Sequence, residues 1–137
     1  MGVETLRFLV GTWRGEGRVG GDPVTAEVTG SFADDGSVVL EHTTHREGAE
    51  DHRERIVLRE HRGRVSAFIR AAGGPEQRFQ SVPAAAGSWR FTRADPKAGP
   101  MAWEVVQGDG GFSERFVVGE GASAETVVEL RHVKAGA

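Results

Sequence analysis

The chain has 137 residues, no cysteine, 17 basic and 20 acidic side chains and a formal net charge of −3. This length suits one domain with a core of its own, so residues 1–137 read as a single unit. The lack of cysteine excludes disulfides and thiolate metal sites, and a cytoplasmic setting is expected. Acidic and basic residues alternate along the chain, leaving no basic stripe for a phosphate backbone, so nucleic acid is not an expected partner. The apolar runs are only a few residues long, which leaves no membrane-spanning helix, and no membrane partner is expected. Residues Met1 to Val10 lack the basic start and long apolar stretch of a secretory signal.

In chain order, the first element is a short helical segment over Thr5–Val10, stopped by Gly11 and long enough only to seal an end. Ten strand-like runs follow at a spacing of about 8–12 residues. They are Thr12–Val19, Val24–Ala33, Ser37–Arg46, His52–Glu60, Arg64–Ala71, Gln77–Val82, Ser88–Arg93, Met101–Gln107, Phe112–Val118 and Glu125–Val133. Turn residues divide them, among them Gly20-Gly21-Asp22-Pro23, Arg62-Gly63 and Gly73-Gly74-Pro75. Connections this short favour antiparallel neighbours, and no helical stretch is long enough for a parallel crossover. An open meander of ten strands would expose two raw edges. The predicted fold is therefore all-β: a single, closed, up-and-down antiparallel barrel with a short N-terminal helix.

Alternation assigns the faces. A two-residue Arg62-Gly63 turn sets Leu58 opposite Ala67 and Ile56 opposite Ile69. Folding the third strand on the fourth puts Thr44 near Glu54 and His42 near Ile56, and folding about Asp109 puts Trp103 opposite Glu114. Eight strands are about enough for side chains to fill a barrel, so ten should leave a cavity. Small residues at the inward positions 15, 17, 26, 30 and 67 strengthen that expectation (Gly15, Gly17, Ala26, Gly30 and Ala67). The expected pocket wall is Val38, Leu40, Ile56, Ile69, Phe79, Trp89, Phe91, Trp103, Phe116 and Val128, with Thr44 beside it. Its expected occupant is a small, largely apolar molecule.

Few polar residues fall on inward faces. His42 follows Val38 and Leu40 inward, whereas His45, three residues on, points the other way, so the pair makes no metal site and none is expected elsewhere. His52 and Glu54 share a face, either lining the pocket or forming a solvated hairpin. Glu114 sits between Phe112 and Phe116. A carboxylate there is paired, with Arg70, Arg78 or Arg90 as the basic candidates, or is pushed toward its neutral form. His132 follows Leu130 inward near the rim, and His45 and His61 face water. His42, Glu54 and Glu114 are thus the candidates for anchoring a ligand. In an enzyme, such as a lyase, isomerase or cyclase, they would be its acid/base groups.

The stretch Phe8-Leu-Val-Gly-Thr-Trp-Arg-Gly-Glu-Gly17 resembles the opening of the nitrobindin-like and related heme-binding-like barrels. These belong to the calycin group, with lipocalins and fatty-acid-binding proteins as relatives. Gly11, Trp13, Gly15 and Gly17 match the Gly-x-Trp-x-Gly-x-Gly pattern one for one. The resemblance implies a ten-stranded barrel with a ligand cavity. It also implies that Trp13 plugs one end beneath a basic side chain of the last strand. Arg131 is the candidate for that side chain through cation–π stacking, although alternation turns it outward. A heme would be ligated by a histidine at the start of the last strand, but Ala124-Glu-Thr-Val-Val-Glu129 contains none. The axial ligand is unmatched, so no cofactor is expected, and a heme held by a histidine elsewhere stays as the alternative.

Overall fold

A computed structural model describes residues 2–135 of the chain. A 3-10 helix, Val3–Leu9, leads into ten strands. These are β1 (Gly11–Val19), β2 (Asp22–Phe32), β3 (Val38–His45), β4 (His52–His61), β5 (Arg64–Ala71), β6 (Gln77–Val82), β7 (Ser88–Arg93), β8 (Met101–Gly108), β9 (Gly111–Val118) and β10 (Glu125–Lys134). Each strand pairs antiparallel with its chain neighbours and β10 closes onto β1, so no edge remains. This is the expected closed meander, and it fits a calycin-like barrel in general. Among the described residues, no helix is long and apolar enough to cross a membrane.

Local chemistry explains the tight corners. Arg62 and Gly63 both have positive φ, 52° and 74°, as do Gly20 and Gly21, 58° and 90°. Two positive φ values in succession are what a two-residue hairpin loop of the twist-matched type requires. The Arg62-Gly63 turn sets Leu58 opposite Ala67 and Ile56 opposite Ile69, the register read from the sequence.

Two other registers differ from that reading. His42 faces Glu54 and Thr44 faces His52, while Ile56 faces Leu40. Trp103 faces Phe116, and Glu114 faces Val105, because the two-residue Asp109-Gly110 turn pairs Gly108 with Gly111. Both shifts move partners but keep every side chain on its assigned face, which only an odd shift would reverse.

The interior is packed at one end and hollow at the other. At the closed end, Leu6 and Leu9 of the helix are fully buried. The Trp13 indole N–H donates to the Leu9 carbonyl at 3.0 Å, and the Trp89 N–H donates to the Thr5 hydroxyl at 3.3 Å. Phe112 meets the Trp13 ring edge-on, with centroids 5.1 Å apart. The cation over Trp13 is Lys134, whose Nζ lies 5.5 Å from the ring. Arg131, the expected partner, is exposed opposite Glu16, because alternation along β10 turns it outward between Leu130 and His132.

The inward glycines do not make the cavity. A Cβ on Gly15 would overlap the His132 ring, one on Gly17 the backbone of Glu129 and Leu130, and one on Gly30 the Leu9 carbonyl. Missing side chains here let neighbours approach closely. Gly15 in particular makes room for a buried histidine on the facing strand.

Candidate functional site

The hollow half holds a cavity of about 200 Å³. Its wall is mostly apolar: Val24, Ile69, Phe79, Phe116, Val128 and Leu130, with Val19, Gln77, Met101 and Val127 completing it. Thr44, Arg46, Glu50 and His52 lie toward the mouth, at the barrel end opposite the helix, and His42, Glu54 and Glu114 supply the inner polar surface. The cavity lies below the usual range for small-molecule pockets, about 300–1,000 Å³, so its fitting occupant is small.

Of the residues read as pocket wall, Ile69, Phe79, Phe116, Val128 and Thr44 face this cavity together with His42 and Glu114. Val38, Leu40, Ile56, Trp89, Phe91 and Trp103 point inward but lie in the packed core instead. Alternation separates inside from outside, but it cannot say which height of the barrel the helix and its aromatic neighbours fill.

The polar floor is built from four strands. His42 comes from β3, Trp103 from β8, Glu114 from β9 and His132 from β10, and all four are at least 95% buried. His42 Nε2 lies 2.8 Å from Glu114 Oε2, and His132 Nε2 lies 2.6 Å from the same oxygen. Trp103 Nε1 donates to Oε1 at 3.0 Å, with His42 Nε2 also 3.1 Å away. Trp103 reaches Glu114 along the diagonal of the β8–β9 ladder, a span within range of a large aromatic side chain. An ionised carboxylate only accepts, so both imidazoles donate from Nε2. Neither ring's Nδ1 has a hydrogen-bond partner among the described residues. Phe112 stacks on His132 at 4.5 Å between centroids, fixing that ring on one side.

This arrangement corrects the arginine pairing weighed for Glu114. Arg90 lies on the outer wall, 2.6 Å from Glu104, Arg70 donates to the Gly74 carbonyl, and Arg78 is exposed. It also moves His132 from the rim to the centre, where its side chain has no exposed surface. A histidine late in the last strand reaches the middle because β10 runs on to Lys134 and pairs His132 with Gly15. The sequence signal was that pairing of a small residue with a large one across the closing seam. It is visible only once the register between β1 and β10 is known.

Electrostatics follow from burial and proximity. Burial opposes charge on Glu114, but the two histidines override it and hold its carboxyl well below the usual 4.5. Burial likewise opposes charge on His42, yet the charge and hydrogen bond of Glu114 raise its pKa above the usual 6.5. Glu54 stands opposite His42 across the β3–β4 ladder, and burial pushes its carboxyl upward against the pull of His42. His52 is exposed at the mouth, 3.9 Å from Glu54. His45 faces outward between Asp51 at 2.7 Å and Glu27 at 3.4 Å, clear of the cavity.

The site therefore offers an ionised carboxylate held by three donors, a buried imidazole and a less acidic carboxyl beside it. These are groups able to orient a polar end of a ligand or to exchange a proton with it. No protein-family model matches this sequence, and no curated protein matches it.

Proposed function

We propose that the barrel binds a small, largely apolar molecule in its open half and orients that molecule's single polar group on His42 and Glu54. The observation that carries this reading is the cavity itself: apolar walls above a floor where His42 and Glu114 are already held by partners. A pocket of this kind gains affinity from its walls and orientation from a few fixed polar groups. The likeness of the Gly11–Gly17 stretch to nitrobindin-like barrels supports a ligand-holding role, although the heme ligand expected in that family has no counterpart at the start of β10.

Native mass spectrometry of the freshly purified protein tests the reading. The expected result is a small-molecule adduct that is lost on denaturation and weakened in Val128→Phe, which narrows the cavity. A bare protein mass, with no binding from a panel of small apolar alcohols and ketones, overturns it. A heme would show instead as a Soret band.

A second reading, acid/base chemistry of the lyase, isomerase or cyclase type, is supported by the Glu54–His42 pairing. Burial favours a protonated Glu54 next to an imidazole that itself retains a proton more readily than usual. Conversion of the captured molecule on incubation distinguishes this from binding alone.

A further inference from the structure

Two imidazoles and one carboxylate, from three different strands, place a metal-ligating atom each within 4.8 Å of the others: His42, Glu114 and His132. Both histidines turn Nε2 to the same carboxylate oxygen, while their other ring nitrogens meet no partner. The protein thus aims both rings at one point. Two histidines with one carboxylate form a donor set suited to zinc and neighbouring divalent ions, and three protein ligands leave one position open.

We propose that the floor of the barrel is a binding site for one divalent transition-metal ion, ligated by His42 Nε2, His132 Nε2 and Glu114 Oε2. Measured from Glu114 Oε2, the fit needs only a small adjustment. Ligand bonds of about 2.0–2.1 Å in tetrahedral geometry set neighbouring donor atoms about 3.3 Å apart. The present separations from Oε2 are 2.8 and 2.6 Å, so the carboxylate recedes by roughly half an ångström or more as the ion replaces the bridging hydrogens. The Trp103 N–H on Oε1 orients the carboxylate from behind, the outer-shell role that tunes metal ligands, and leaves Oε2 to the ion. Phe112 fixes the His132 ring. His42 and Glu114 both line the cavity, which gives the ion its way in and opens its fourth position toward whatever the cavity holds. The site stands independently of the ligand reading above, since a metal can bind whether or not an organic molecule does.

The test uses the full-length protein stripped with a chelator and then given Co²⁺ or Zn²⁺ alone. One equivalent of Co²⁺ should produce the strong visible absorption of a low-coordinate ion, bleached by one equivalent of Zn²⁺. Proton spectra of the Co²⁺ form should show two hyperfine-shifted imidazole N–H signals, one from each histidine. Zn²⁺ at a hundredfold excess over its Kd should raise Tm by about 5–10 °C. His42→Gln should weaken binding about a hundredfold or more, whereas His45→Gln, on the outer wall, should leave it unchanged. The wild-type spectra are decisive even if His42→Gln does not fold. A hydrated-ion spectrum at one equivalent, a single shifted imidazole signal, or binding lost in His45→Gln overturns the proposal.

Discussion

Replacing Glu114 with glutamine keeps the shape of the side chain and removes its charge, and the geometry determines what that costs. In the wild type three donors converge on two carboxylate oxygens: His42 and His132 on Oε2, and Trp103 on Oε1. Glutamine offers one oxygen and one NH₂ group. If its oxygen accepts from Trp103, the NH₂ faces two imidazole nitrogens. Each ring must then move its proton to an Nδ1 that has no partner. If the amide is turned round, the NH₂ confronts the indole N–H, donor against donor. Each stranded buried donor costs about 1–3 kcal/mol, and breaking a buried charged pair costs about 3–5 kcal/mol in all. Glu114→Gln should therefore lose about 3–5 kcal/mol, or roughly 10–20 °C in Tm for a chain of this size. Urea denaturation followed by circular dichroism in a metal-chelating buffer at neutral pH measures it. A loss below about 1 kcal/mol would mean that the three donors do not depend on the carboxylate, and the account of the floor would fail.

The pH dependence of that difference follows from the directions of the shifts. The Glu114 carboxyl is lowered, so its contribution is present above 4.5 and disappears as pH falls through the lower folded-state value. His42 is raised, so its contribution is fully present below 6.5 and is lost as pH rises through the higher folded-state value. The gap between wild type and Glu114→Gln should be widest between about pH 4.5 and 6.5 and narrow on both sides.

Two further outcomes are expected. Gly15→Ala should destabilise by about 1–3 kcal/mol or more, because the added methyl meets a His132 ring already held by Glu114 and Phe112. Unchanged urea stability, with the His132 imidazole signals unmoved, would contradict the close β1–β10 approach. His45 should titrate above its ordinary 6.5, chiefly through its hydrogen bond to Asp51, and Asp51→Asn should bring it back toward that value in an NMR titration. The stabilisation from this exposed pair is small, is present below 6.5 and is lost as pH rises through the raised value. A His45 titration insensitive to Asp51→Asn would show that the contact does not persist in water.

Much of the barrel is dictated locally. Turn residues and period-two alternation are properties of a few consecutive residues, which is why β5, β6 and β7 begin and end where the sequence places them. The same alternation turns His42 and Glu114 inward and His45 outward whatever the register, since a shift by two residues leaves faces intact. The polar floor could not be read this way. Trp103, Glu114 and His132 meet across the β8–β9 and β9–β10 ladders, but His42 lies 72 residues from Glu114 and reaches it only because the barrel closes. Closure also presses His132 against Gly15 and carries it from an apparent rim position to the centre. The division of the interior into a packed half and a hollow half was likewise decided in three dimensions. The helix occupies one end and carries Leu6 and Leu9 into it, so residues on equivalent inward positions became core at one height and cavity wall at another. Pattern along a strand records which side of the sheet a residue faces. What it meets there depends on strands far away in the chain.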